Sequence, residues 1–184
     1  MKTKSTLFAE KVEGLFFPDR VVIGGGFLVI LYFLSSGLLV NNAMTFLTAL
    51  LAFYMVQKLF ENKIRNKDSL HLLSAIIATT MFFALSNTWF VSNLLKFGAF
   101  SIFFNLIVLF IIRSFWKISA HTFVYTNVCT VLALIDSRLV LFYIFLPLVI
   151  WSRIKLKRHT YMQVIAGGLG GFLLPIVLFS SGYF

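Results

Sequence analysis

Phe97 to Ile112 reads FGAFSIFFNLIVLFII, a stretch without a charged side chain that ends at Arg113 and, past Trp116 and Lys117, runs into Ser119-Ala120-His121. A helix this apolar around its whole circumference offers no polar face to water, so it belongs in the centre of a large fold or in lipid. The surrounding chain decides between the two. Of 184 residues, 60% are hydrophobic and only 12% charged, with 23 Phe and 3 Pro. An ordinary soluble domain is about half apolar and about a quarter charged. A soluble enzyme, a disordered chain and a collagen-like chain are all excluded by this composition.

Outward from 97–112, further apolar runs cover 21–40, 43–60, 70–91, 121–135, 139–151 and 160–180. Each helical crossing of a bilayer needs about 20 residues. The expected architecture is therefore all-α, a polytopic membrane helical bundle of about six to seven transmembrane helices over 21–184. Ahead of it, residues 1–20 place Leu7, Phe8, Val12, Leu15 and Phe16 among Lys2, Lys4, Lys11 and Arg20, the pattern of a retained segment lying in the membrane interface. Pro147 and Pro175 are expected to kink their helices. The GxxxG spacing from Gly167 to Gly171 points to close helix packing inside the bundle, as does Gly24-Gly25-Gly26.

With seven crossings, the N-terminus shares one side with the breaks at 61–69, 113–120 and 152–158. That side carries 14 of the 16 Lys and Arg residues, and Lys96 and Arg138 fall on the other. Without Lys58, Arg65 and Arg153 the balance is still 11 to 2. The positive-inside rule puts the basic side in the cytoplasm, with Trp116 and Trp151 at that boundary and Trp89 at the opposite one. The formal charge of +10 is thus read as an affinity for anionic lipid headgroups, with no nucleic acid as partner.

The basic side also collects chemistry. Lys58 and Arg65 are two helical turns apart, Ser119 and His121 open the fifth run, and Ser152-Arg153 is followed after five residues by His159. A helix N-terminus at Ser119 presents free N–H groups to a phosphate oxygen. Guanidinium forks from Arg65 and Arg153 bind others, and Lys58 adds a point charge. Two imidazoles on opposite sides of such an anion have natural roles, one attacking and one protonating. Metal ligands are poorly supplied: six carboxylates are scattered, three histidines lie far apart, and the single Cys129 allows no disulfide within one chain.

The order K-x6-R, S-x-H, SR-x5-H resembles the three signature motifs of the type 2 phosphatidic acid phosphatase superfamily, integral membrane lipid phosphatases. Its pattern, K-x6-R-P, P-S-G-H and S-R-x5-H-x3-D, reads here as Lys58 to Arg65 with Asn66, Ile118-Ser119-Ala120-His121, and Ser152-Arg153 to His159 with Gln163. The resemblance implies a covalent phosphohistidine on His159 and His121 as general acid for the leaving alcohol. It implies no metal or other cofactor, and it assigns phosphate binding to Lys58, Arg65, Ser119 and Arg153, with Ala120 in place of the glycine beside the anion. The implied substrate is a membrane lipid phosphate monoester or diphosphate, such as phosphatidate, phosphatidylglycerophosphate or polyprenyl diphosphate. Gln163 stands where the family has Asp. Its amide oxygen is expected to accept Nδ1–H of His159 and fix the tautomer, without the negative charge that steadies a phosphoimidazolium.

Simpler readings apply to the remaining polar residues. His71 matches no motif position and reads as a packing residue. Lys155, Lys157 and Arg158 read as headgroup contacts, and Asp68 as solvated beside Lys67. Two other functions stand beside the enzyme: a non-catalytic lipid-phosphate binder or small subunit of a membrane complex, and a transporter. The transporter is disfavoured because the ionisable residues gather at one surface and not at the midplane. A homo-oligomer or a membrane-complex partner is left open.

Overall fold

The computed structural model describes residues 3–16, 39–60, 62, 67–88 and 93–182. Among them every regular element is helical: α1 (Lys4–Leu15), α2 (Leu39–Phe60), α3 (Lys67–Thr88), α4 (Asn93–Phe115), α5 (Ala120–Ile135), a 3-10 segment (Ser137–Phe145), α6 (Leu146–Lys155) and α7 (Tyr161–Ser180). These follow the apolar runs closely, because each run ends where charge or a helix cap interrupts it. The first expected crossing, apart from its last residues, lies outside the described residues, as do Arg20, Arg65, Asn66 and Trp89.

Among the described residues, three stretches are long and apolar enough to cross a membrane: Lys96–Phe115, the 3-10 segment continued into α6 (Ser137–Lys155), and Tyr161–Ser180. They fit a membrane protein. Leu50–Phe60, Leu73–Phe82 and Ala120–Ile135 are shorter apolar helical stretches.

The centre of the fold is α5, whose residues from His121 to Leu132 are all buried. Phe123, Val124, Val128 and Leu132 pack with Ala99, Leu106 and Leu109 of α4 and with Ala75 and Phe82 of α3. α7 lies against α5 at backbone distance. A Cβ on Gly167 would stand 2.7 Å from the carbonyl oxygen of Ser119, and one on Gly171 would be closer still to that of Phe123. The GxxxG spacing therefore serves packing within the bundle, as its sequence context suggested. Because Gly167 covers Ser119 and Gly171 covers Phe123, four residues on along both chains, α5 and α7 run in the same direction.

A parallel pair needs a return crossing, which the 3-10 segment and α6 supply. Asp136 ends α5, and its carboxylate caps the return by accepting the N–H of Arg138 at 2.8 Å and pairing with that side chain's guanidinium. Pro147 sits in the first turn of α6, at the junction with the 3-10 segment, where its missing N–H costs no helical hydrogen bond. The helix type changes at that junction. α1 packs along α6, with Ala9 and Val12 buried and Phe8 against Trp151, ring centroids 5.8 Å apart.

Candidate active site

Two helix N-termini meet at one end of the parallel pair. At α5, Ser119 is the N-cap: its Oγ accepts the N–H of Thr122 at 3.4 Å and lies 2.9 Å from the Thr122 hydroxyl. At α7, Thr160 and Gln163 form a reciprocal capping box. The Thr160 Oγ1 accepts Gln163 N–H at 3.4 Å, and the Gln163 Oε1 accepts Thr160 N–H at 3.1 Å. The ends are joined directly, since Ser119 N–H donates to the Gln163 carbonyl at 3.1 Å. Each contributes the positive end of a helix dipole, favouring an anion by about 0.3–1 kcal/mol.

The turn from α6 to α7 sets the spacing between Arg153 and His159. Arg158 N–H bonds the Arg153 carbonyl at 3.1 Å and Lys157 N–H bonds that of Ile154 at 2.9 Å. Lys157 itself is in the left-handed region, φ 53°. This is a Schellman closure with lysine at the position that usually carries glycine. It reverses the chain within a few residues, so Arg153 in the last turn of α6 and His159 just before α7 stay at the same end.

His159 Nδ1 lies 3.3 Å from Gln163 Oε1. An amide oxygen only accepts, so Nδ1 carries the proton in that bond. Partial burial and then the charge of Arg153 hold the pKa of His159 below the usual histidine value; the bonds to Gln163 and to the Lys117 backbone pull the other way, and the Lys117 charge adds to the lowering. His121, in the first turn of α5, is 6% exposed. The charges of Arg153 and Arg113 act on it, and it is within electrostatic reach of His159.

Arg153 is buried, and its guanidinium pairs with the carboxylate of Glu13 from α1. Arg158 approaches the same carboxylate at 3.9 Å. The structure thus brings Ser119, Ala120, His121, Arg153, His159 and Gln163 to one end of the bundle. Lys58 is exposed in the last turn of α2, and no described contact joins it to the cluster; Arg65 lies outside the described residues.

Sequence reasoning missed Glu13, Arg113, Lys117 and Thr160 as members of this cluster. The capping box was readable as Thr160-Tyr161-Met162-Gln163 ahead of an apolar run. Glu13 carried only the signal of one of three carboxylates in a basic amphipathic segment. A largely apolar cavity of about 550 Å³ lies beside α6, lined by Tyr143, Leu146, Pro147, Ile150, Trp151, Ile154 and Tyr161, and none of the cluster residues lines it.

Comparison with protein families, characterised proteins and solved structures finds no match to this chain. The cluster has a chemistry of its own: two N-termini and a buried guanidinium favour an oxyanion, and two imidazoles of different environment lie at the same end.

Proposed function

We propose that this chain is an integral membrane lipid phosphatase, working without a metal through a phosphohistidine on His159. The neutral Nε2 attacks phosphorus while the bond to the lipid oxygen breaks, and His121 delivers the proton that the leaving alcohol takes up. Water then attacks the phosphohistidine, His121 accepts its proton, and inorganic phosphate leaves with His159 free again. Arg153 and the N-terminus of α5 at Ser119-Ala120 hold the equatorial oxygens; the motif resemblance adds Lys58 and Arg65, although no described contact brings Lys58 to the cluster.

The observation that supports this reading is the parallel pairing of α5 and α7, which with the α6–α7 turn brings His121, His159 and Arg153 to one end of the bundle although they come from separate stretches of sequence. The lowered pKa of His159 suits a nucleophile that must be neutral. In this proposal residues 1–20 lie in the interface, six to seven helices cross the cytoplasmic membrane, and the N-terminus and the site face the cytoplasm. The substrate is a lipid phosphate monoester or diphosphate entering from the bilayer.

One observation favours a second reading, a lipid-phosphate binder or small complex subunit without turnover. Gln163 Oε1 is engaged by the Thr160 N–H as a helix cap and supplies no negative charge to a phosphoimidazolium. Phosphate release from phosphatidate, phosphatidylglycerophosphate and polyprenyl diphosphate by the purified protein separates the two. The enzyme reading expects release that falls at least about a thousandfold in His159→Ala. Equal rates in wild type and variant would defeat it, and binding without release would favour the alternative.

A further inference from the structure

Glu13 is the one carboxylate that the described contacts bring to this cluster, and it comes from the opposite end of the sequence, 140 residues from its partner. It pairs with Arg153, whose side chain is 6% exposed, and is itself 19% exposed. The helix that carries it is anchored on both sides of the ion pair. Phe8 lies on Trp151, and Phe16 is T-shaped against Tyr125 at 5.1 Å and tilted against Phe145 at 6.1 Å. Phe16 also packs on the buried group of Tyr125, Cys129 and Val149. A carboxylate held this way is a built part of the site.

We propose that Glu13 is a positioning residue: α1 delivers its carboxylate to Arg153, fixing the guanidinium's orientation toward a bound phosphate and supplying the cluster with the negative charge that Gln163 lacks. This rests on the reading of the cluster as an oxyanion site. Guanidinium is a rigid planar fork, so a carboxylate bonded at one edge sets the direction in which the whole fork faces. A buried arginine without a counter-ion is strongly disfavoured, and its full charge would bear on both imidazoles. Around His159 the charged and titratable groups are Lys117 before α5, His121 on α5 and Arg153 on α6, with Arg113 on α4 acting on His121 and with Glu13 and Arg158 acting at Arg153. Four of these are Lys or Arg, and Glu13 pairs with the buried one, Arg153.

The test uses the full chain in detergent with labelled histidine, assigned by the signal missing from His159→Gln. The His159 titration and the affinity for inorganic phosphate are measured in wild type, Glu13→Gln and Glu13→Asp. Glu13→Gln is expected to lower the His159 midpoint by about half a pH unit or more and to weaken phosphate binding about tenfold. Glu13→Asp, which keeps the charge, recovers part of both. An unchanged or raised midpoint in Glu13→Gln would overturn the inference, since a purely packing role leaves it unmoved. Tighter phosphate binding would also overturn it, because the carboxylate would then be a competitor for the guanidinium. If the wild type binds no phosphate, the oxyanion reading fails by itself, and the titration still decides whether Glu13 sets the charge felt by His159.

Discussion

The N–H of Ser119 donates to the carbonyl oxygen of Gln163 at 3.1 Å, tying the cap of α5 to the first turn of α7. The bond is possible only because the two helices touch backbone to backbone along Gly167 and Gly171. Any side chain at those positions pushes α7 away from α5 and opens the site at its base.

Gly171→Ala is therefore expected to destabilise the protein by about 3 kcal/mol or more, since the new Cβ meets the Phe123 carbonyl and the Asn127 backbone N–H, neither of which can rotate away. Gly168 lies on the same helix with its nearest neighbour, the Thr122 methyl, at 3.7 Å. Gly168→Ala should be neutral or stabilising by up to about 1 kcal/mol through helix propensity. Thermal unfolding in detergent distinguishes them, and equal effects would contradict the close approach.

The sign of the His159 shift fixes a pH dependence. Its folded pKa lies below the ordinary value of about 6.5, so the unfolded chain binds more protons here as pH drops through the window between the two. The stability this site contributes is present above about pH 6.5 and is lost on acidification. Under the proposed mechanism the same shift keeps His159 neutral below pH 6.5, and the acid limb of kcat/KM should fall there. Gln163→Glu keeps the capping box and adds a negative charge one turn away, so it should raise the His159 midpoint and move that limb to higher pH. A limb that does not move would separate His159 from the rate.

Much of this arrangement was legible in the sequence because it is local. Apolar runs ending at charge gave helices close to those observed, and the glycine spacing marked the tight face of α7. The change to a 3-10 segment ahead of Pro147 was not legible, because Ser137–Phe145 has the same apolar composition as the helices beside it. The union of Ser119 with Gln163, and of Arg153 with Glu13, depends on how helices stack, which no local period records. The Lys58–Arg65 spacing was as clear as the others, yet Lys58 sits exposed on α2 and no described contact brings it to the histidines.

Lys157 offers a test of the turn that sets the Arg153–His159 spacing. A non-glycine residue in the left-handed region carries about 1 kcal/mol of steric strain, and the Lys157 side chain is exposed. Lys157→Gly should raise stability by about 0.5–1 kcal/mol without moving the pH profile of His159. Lys157→Ala should not, because alanine keeps the Cβ that causes the strain. Equal responses to both would mean that the closure is not strained at this residue.

The membrane placement predicts which residues meet water on which side. Lys117 and Lys157 are exposed next to the two helix N-termini, whereas Ser137 is exposed beyond the other end of α5, a helix of 16 residues that rises about 24 Å. That is short of a hydrocarbon thickness of about 30 Å, but the caps at Ser119 and Asp136 lie beyond its ends and extend the reach toward both interfaces. In a background where the buried Cys129 is replaced by Ser, single cysteines at 117, 157 and 137 should therefore sort into two classes with a membrane-impermeant maleimide. Those at 117 and 157 should react from the face bearing Arg113, Lys155 and Arg158, the cytoplasmic one in the proposed topology, and the one at 137 from the other face. Labelling of all three from one side would mean that α5 does not traverse the bilayer. The two imidazoles would then share their end for a reason other than a membrane-spanning parallel pair.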